Sequence, residues 1–437
     1  MPRTRVTGLL LCLVLPFLLG SPGMSTQLFA EEQNAQQHII LTSSPQDPRG
    51  HLLRGRSLIA EKAFEEGISE LKKSLELDPK NEQIYLDLAR AYLAMKNPEE
   101  AEAILEQGLQ QNSISTTLML AKGDVFLLQG KQPEAEAQFQ RALELGADND
   151  ALYAKLGQYY LATQKWKEAE AVYQKLANRK PESETPQILL GEFYTFLGAG
   201  AKALEHFQKA VELNPQSKPA RNAVINFYLD NRKWEEAEKL VSAALEKDKK
   251  DKKDSIAKVF QARLLLGQGK VDEAIPIFQR VIKDDSNQAM AHQYLGVAFA
   301  TKKDISQALY ELNEAVKLAP QDRGIRKALA LVRMAEGSYT MAIEEAQMAI
   351  RLNPRDVQAV HLLGQAYLRH KDIAQAKKVY EAIVKQIPQD PVAHYQLGLI
   401  DRQDKKPEAA IAHFEEALTQ NPNFAQAVGQ IASIRVS

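Results

Sequence analysis

Cysteine is almost absent from this chain: Cys12 is the only one in 437 residues. It lies in the first apolar run, so a chain that loses that run keeps no thiol. That excludes disulfide scaffolding, thiol catalysis and thiolate metal sites, and it suits an oxidising compartment. An excess of one charge is missing too. Lys and Arg number 55 against 56 Asp and Glu, for a formal net charge of −1, and removal of Arg3 and Arg5 takes it to −3. Such balance argues against general nucleic-acid binding, which wants a basic face, and against electrostatic docking on anionic lipid.

Chemical motifs are as scarce. There is no G-x-S-x-G elbow, no H-E-x-x-H and no G-x-x-x-x-G-K-[ST]. Gly267-Gln-Gly269-Lys270 superficially resembles a phosphate loop, but it falls in a turn between two helical stretches, where Gly and Lys serve capping. His361, His370 and His394 come close in sequence without ligand spacing on one helix face, and read as surface or groove residues. Acid pairs such as Glu99/Glu100 and Glu235/Glu236 sit at helix starts, where the helix dipole explains them. The expectation is a protein with no catalytic residues, no metal and no cofactor.

What the chain does have is a clock. Gly67, Ala101, Ala135, Ala169, Ala203, Ala237, Ala274, Ala308, Ala342, Ala376 and Ala410 follow one another at intervals of 34, except for 37 between Ala237 and Ala274. Twelve residues upstream runs a second column, from Gly55 to Gly398, that is Gly or Ala at all but Ile225. Nine residues upstream of the first column stand Leu58, Tyr92, Phe126, Tyr160, Tyr194, Tyr228, Leu265, Phe299, Arg333, Tyr367 and Asp401. Twelve residues downstream the position is usually Pro, as at Pro79, Pro181 and Pro215.

One unit shows the physics. Residues 82–96 carry Tyr85, Leu86, Leu88, Ala89, Tyr92 and Leu93 on a helical stripe. Asn97-Pro98-Glu99-Glu100 then supplies an N-cap, a first-turn proline and acids at the positive helix end. A second helix is expected from about Pro98 to Gln111, its stripe formed by Ala101, Ile104, Leu105 and Leu109. Two antiparallel helices joined this tightly touch where both present small residues, here Ala89 and Ala101. The aromatic column fills the gap beside that contact, and the proline ends the second helix.

The period and the columns together resemble the tetratricopeptide repeat family. The resemblance covers about residues 48–422, eleven repeats. It implies an all-α, right-handed superhelical solenoid of helix-turn-helix units whose first helices line a concave groove. Phe424, Val428, Ile431 and Ala432 add a helix at 423–437 that reads as a C-terminal cap, and Ala432 falls in step with the second small-residue column. The mixed-charge run at 246–254 absorbs the three extra residues. It reads as a helix end or solvated loop, or as a flexure between repeats.

Arg3 and Arg5 precede the apolar run from Val6 to Leu19, and Gly20, Ser21, Pro22 and Gly23 follow it. This is a secretory signal pattern, too short for a firm membrane span, with cleavage expected after Ala30. An uncleaved anchor is the alternative. Cys12 follows Leu11 rather than a small residue, which does not fit a lipid anchor. Residues 31–47 then form a polar arm. The layout, a leader followed by uninterrupted repeats, resembles the periplasmic members of the family in polysaccharide export, pilus and outer-membrane assembly.

The resemblance places function in the groove. Asn222 and Asn226 lie four apart on one helix face, with Arg263 from the next repeat beside them. Such asparagines can hold the backbone of an extended peptide, and Arg263 is available for a carboxylate. The same residues also read as ordinary polar lining. The family's full carboxylate clamp is incomplete, because Val259 stands where a Lys is wanted. Leu128 and Phe196 add apolar lining, and Lys327, Arg369 and Arg402 make the later groove basic without matching acids. The reading is a noncatalytic scaffold or adaptor of the bacterial cell envelope, periplasmic or associated with the outer membrane. It would bind a protein or peptide partner in its groove. The alternative is a carbohydrate-binding protein that holds an acidic polysaccharide along the later groove; a third reading is the regulatory arm of an enzyme subunit.

Overall fold

The computed structural model describes residues 46–146, 150–248 and 255–436. Among them the chain is all-α, with 23 helices and no strand. The leader expected at 1–30, Cys12, almost all of the arm at 31–47 and residues 249–254 of the charge run lie outside the described residues. No described helix is long and apolar enough to cross a membrane.

The chain divides into two compact units, Met1–Leu190 and Gly191–Ser437, with the division inside the helix Glu184–Phe196. In the first unit helices pair as hairpins, beginning with Pro48–Ala60 against Phe64–Leu77 and Glu82–Ala94 against Pro98–Gln111. The second unit repeats the pattern from Lys218–Asp230 to the hairpin of Pro391–Gln403 and Pro407–Gln420. A last helix, Ala425–Val436, packs on Pro407–Gln420. Within each unit, first helices of successive hairpins also touch one another, as Glu82–Ala94 touches Thr116–Leu128 and Ile256–Gly267 touches Ala289–Thr301. First helices that crowd together form the inner face of a stack, so the concave side of each unit carries their residues.

Every hairpin turns through one residue in the left-handed region: Lys62, Lys96, Gly130, Gln164, Gly198, Arg232, Gly269, Lys303, Gly337, Lys371 and Lys405. The next amide then bonds back five residues, Asn97 N–H to the Tyr92 carbonyl at 2.9 Å and Lys165 N–H to the Tyr160 carbonyl at 2.8 Å. This is a Schellman closure, and its acceptor is the aromatic-column residue each time. Gly269 is therefore a turn glycine at φ +80° with open space around it, not part of a phosphate loop.

The two small columns meet as the sequence requires. All eleven residues of the first column are buried, from Gly67 to Ala410. Five of the seven glycines of the second column lie under a ring four residues past the first, and Gly55 and Gly296 lie under Leu71 and Leu312. A Cβ at Gly157 would stand 2.2 Å from the Tyr173 ring, and one at Gly191 2.4 Å from Phe207. At two positions where the second column bears a larger residue its partner is smaller: Ile225 shares a core with Val241, and Ala330 with Ala346, whereas Ala262 keeps Phe278. Pairs of complementary volume keep the helix separation constant. Asp401, which replaces the aromatic near the end, is also buried, and it is paired with Lys377 at 2.7 Å and with His413 at 3.5 Å.

Two expectations change at the C-terminus. Ala427 and Ile431 are the buried residues of the last helix, with Phe424 packed beside them, whereas Ala432 and Val428 are exposed. A small residue at Ala432 has no second helix to meet, so its place in the column is unused. His394 is buried rather than at the surface, where it donates Nε2–H to the Pro388 carbonyl at 2.9 Å and faces His413.

Candidate peptide-binding groove

In the second unit the inner face holds a cavity of about 760 Å³. Six residues of first helices line it: Glu192, Asn226, Asp230, Arg263, Gln293 and Lys327. Tyr294, Asp322 and Arg323 complete the polar wall, while Phe207, Phe227 and Leu352 supply apolar surface.

Arg263 sits deepest. Its Nη1–H donates to Asn226 Oδ1 and its Nη2–H to Asp230 Oδ1 at 2.7 Å, while its guanidinium lies 4.2 Å from the centre of the Tyr294 ring. Only 6% of the residue is exposed. The expectation that Arg263 is available for an incoming carboxylate is therefore corrected. Its charge is satisfied within the chain, and an anion would have to displace Asp230. Asn222, one turn before Asn226, is half-buried, and its Oδ1 is buried without a hydrogen-bond partner. Burial of the Tyr294 hydroxyl pushes its pKa up to about 12, so it stays a neutral donor and acceptor.

Part of the later groove is paired within the chain. Lys327 Nζ donates to Asp356 Oδ2 at 2.7 Å and to Gln358 Oε1 at 3.2 Å. The other oxygen, Asp356 Oδ1, caps the helix Val357–Arg369 by accepting from Ala359 N–H at 3.1 Å. One repeat on, Asp390 accepts His361 Nε2–H at 2.9 Å and caps Pro391–Gln403 through Ala393 N–H at 2.7 Å. Each cap aspartate thus ties its helix to a groove side chain of the repeat before it, Lys327 or His361. Arg402 donates to Gln430 and Ser433 of the last helix, and Arg369 is exposed. The expectation of a basic later groove without acids is corrected at Lys327, whose acid comes from the cap position of a following helix, while Arg369 and Arg402 meet no acid among the described residues.

Phe196 is half-buried and engaged. Its carbonyl accepts Asn353 Nδ2–H at 3.2 Å, and the Arg323 guanidinium lies 5.8 Å from its ring centre. Leu128 belongs to the first unit, half-buried against that unit's core. There the matching groove contact is Asp124, fully buried, with Lys155 from the next first helix on its Oδ2 and no hydrogen-bond partner on Oδ1. Desolvation pushes the Asp124 carboxyl up to about 6, against the pull of Lys155. Among the described residues no three His, Cys, Asp or Glu side chains gather to hold a metal.

Sequence reasoning missed Tyr294, Asp322, Arg323 and Asn353. Tyr294 is one position off the projected stripe, and Asn353 precedes Pro354 like any helix end. Only the packing of distant repeats shows what they touch.

Tetratricopeptide repeat profiles match residues 58–113, 126–191, 197–255 and 333–398, with further matches at 86–150, 261–323 and 391–424. The chain belongs to the tetratricopeptide repeat family. Among curated relatives it is similar to human tetratricopeptide repeat protein 13, 26% identical over 171 residues, which are 38% of this chain and 20% of that protein. It is also similar to the type IV pilus assembly protein PilF of Pseudomonas aeruginosa, 27% identical over 135 residues, 30% of this chain and 54% of PilF. The chain thus spans from about a fifth to about half of these relatives' length. A solved tetratricopeptide repeat protein from Parabacteroides merdae aligns at 19% identity and TM-score 0.45, over 57% of this chain and 98% of that one.

Proposed function

We propose that this tetratricopeptide repeat chain is a noncatalytic adaptor of the bacterial cell envelope that holds an extended segment of a partner protein in its groove. The cavity of the second unit carries the reading. It lies on the inner face and combines amide, hydroxyl and carboxylate groups with apolar walls. One helical turn before Asn226, Asn222 Oδ1 is buried without a partner. Such a surface suits polypeptide backbone, which offers donors and acceptors at regular intervals. Support for the envelope setting comes from the leader pattern before Glu31 and from the likeness to a pilus assembly protein. The polysaccharide reading keeps Arg369 and Arg402 as its cations, because Lys327 is already ion-paired within the chain.

The full chain with a C-terminal tag, produced in its native host, should be recovered from the envelope fraction with Glu31 as its first residue. A protein partner should copurify. The double change Asn222→Ala and Asn226→Ala should weaken that capture while leaving helicity nearly unchanged. Capture at the parent level by the double variant would show that this face does not hold the partner. Recovery only from the cytoplasm would remove the envelope setting.

A further inference from the structure

The cavity contains one carboxylate that the chain leaves unmatched. Asp230 faces Arg263, and Asp322 caps its own helix by accepting the Gly324 and Ile325 N–H groups at 2.7 and 3.0 Å. Two of the three cations are ion-paired, Arg263 with Asp230 and Lys327 with Asp356, while the Arg323 guanidinium lies 5.8 Å from the centre of the Phe196 ring. Glu192 differs. It stands on the helix Glu184–Phe196, open to the cavity, and has neither hydrogen bond nor ion pair among the described residues. Across the same cavity lies the Tyr294 ring, with its hydroxyl kept neutral.

We infer that the cavity takes a Lys or Arg side chain of the bound segment, with Glu192 as its counter-ion. This rests on the groove reading above and names the chemistry recognised there. A lone acid among satisfied pairs gives an incoming cation the one charge it can neutralise without breaking an existing bond. An incoming carboxylate would have only Arg323, which already lies over the Phe196 ring, and would meet Glu192 as a like charge. Space is sufficient, since about 760 Å³ exceeds the volume of any one side chain several-fold. Desolvation by the surrounding groove walls raises the Glu192 pKa, although the side chain itself is exposed to the cavity.

The test uses the full chain, immobilised, and a pool of random octapeptides blocked at both ends. Peptides retained by the parent should be enriched in Lys or Arg at one position. Replacing that residue by Gln should weaken binding about tenfold, the size of one charge-assisted contact. Glu192→Gln should abolish the basic preference without changing the melting temperature, and Glu192→Asp should keep most of it. Retained peptides with no basic preference, or a preference that survives Glu192→Gln, would overturn this inference while leaving the groove as a peptide site. Retention of no peptide by the parent would overturn both.

Discussion

Asn353 donates its side-chain amide to the main-chain carbonyl of Phe196, 3.2 Å away and 157 positions distant in sequence. Within the second unit this bond draws the end of the helix Tyr339–Leu352 onto the helix that bears Glu192. Its other amide atom is already in use, since Asn353 Oδ1 accepts Arg355 N–H at 2.9 Å. Asn353→Asp preserves that turn and sets a carboxylate against the Phe196 carbonyl. The bond is lost and two acceptors oppose each other, so the second unit should lose about 1–2 kcal/mol. Hydrogen exchange at residues near 196 should quicken in the variant. Unchanged exchange there would mean that the contact does not hold the two elements together.

Gly157→Ala tests the helix contact in the first unit. Alanine is the better helix former by about 1 kcal/mol, which favours the variant. Against it, the new methyl would lie 2.2 Å from a Tyr173 ring that is 97% buried in its surroundings, with only 3% exposed. Overpacking should win, with a net loss of about 1–3 kcal/mol in urea unfolding. Adding Tyr173→Val should return part of that loss. A double variant as unstable as the sum of the single changes would disprove the Gly157–Tyr173 fit.

The fold was legible because its determinants recur. Ala101 and Ala89 carry little information alone, but eleven repetitions in phase leave one packing solution. The Gly-to-ring pairing was within reach too, since Tyr173 follows Ala169 by four as Phe207 follows Ala203. The site was half legible. The family resemblance put Asn226, Arg263 and Lys327 along one groove, and they do share a cavity. It gave no sign that Asp230 and Asp356 neutralise two of them, because those contacts run 33 and 29 residues along the chain between repeats. Phe196 and Asn353 meet through the accumulated curvature of the unit, a sum of small rotations that no local pattern encodes.

Turn residues offer a gain rather than a loss. Lys96 holds φ 60° at a position where Gly130 and Gly198 serve other hairpins. A left-handed lysine costs about 1–2 kcal/mol in backbone strain, of which glycine's greater freedom in the unfolded chain takes back part. Lys96→Gly should therefore stabilise the first unit by about 0.5–1 kcal/mol. The converse change, Gly198→Ala, meets no side-chain clash, because nothing lies within 4 Å. Its cost should come from φ alone. Thermal melts of both variants decide the matter, and equal shifts of one sign would contradict it.

Asp124 sets the last expectation. Its carboxyl has a folded-state pKa of about 6, raised by burial from an ordinary 3.8 and only partly drawn back by Lys155. Between those values the folded chain keeps a proton that the unfolded chain has released. Its contribution to stability is thus full below about 3.8 and is lost as pH rises through about 6. Glu70 runs the other way. Burial pushes it up, but hydrogen bonds from Lys73, His51 and Arg54 outweigh that and hold it at about 2, so its contribution fades only as pH falls from 4.5 toward 2. Asp124→Asn removes the first dependence and leaves the second. Urea midpoints of parent and variant, measured at pH 4.5 and 7.5, should show the variant gaining on the parent as pH rises. A constant difference between them would mean that Asp124 ionises as easily in the fold as in the open chain, and that Lys155 fully compensates its burial.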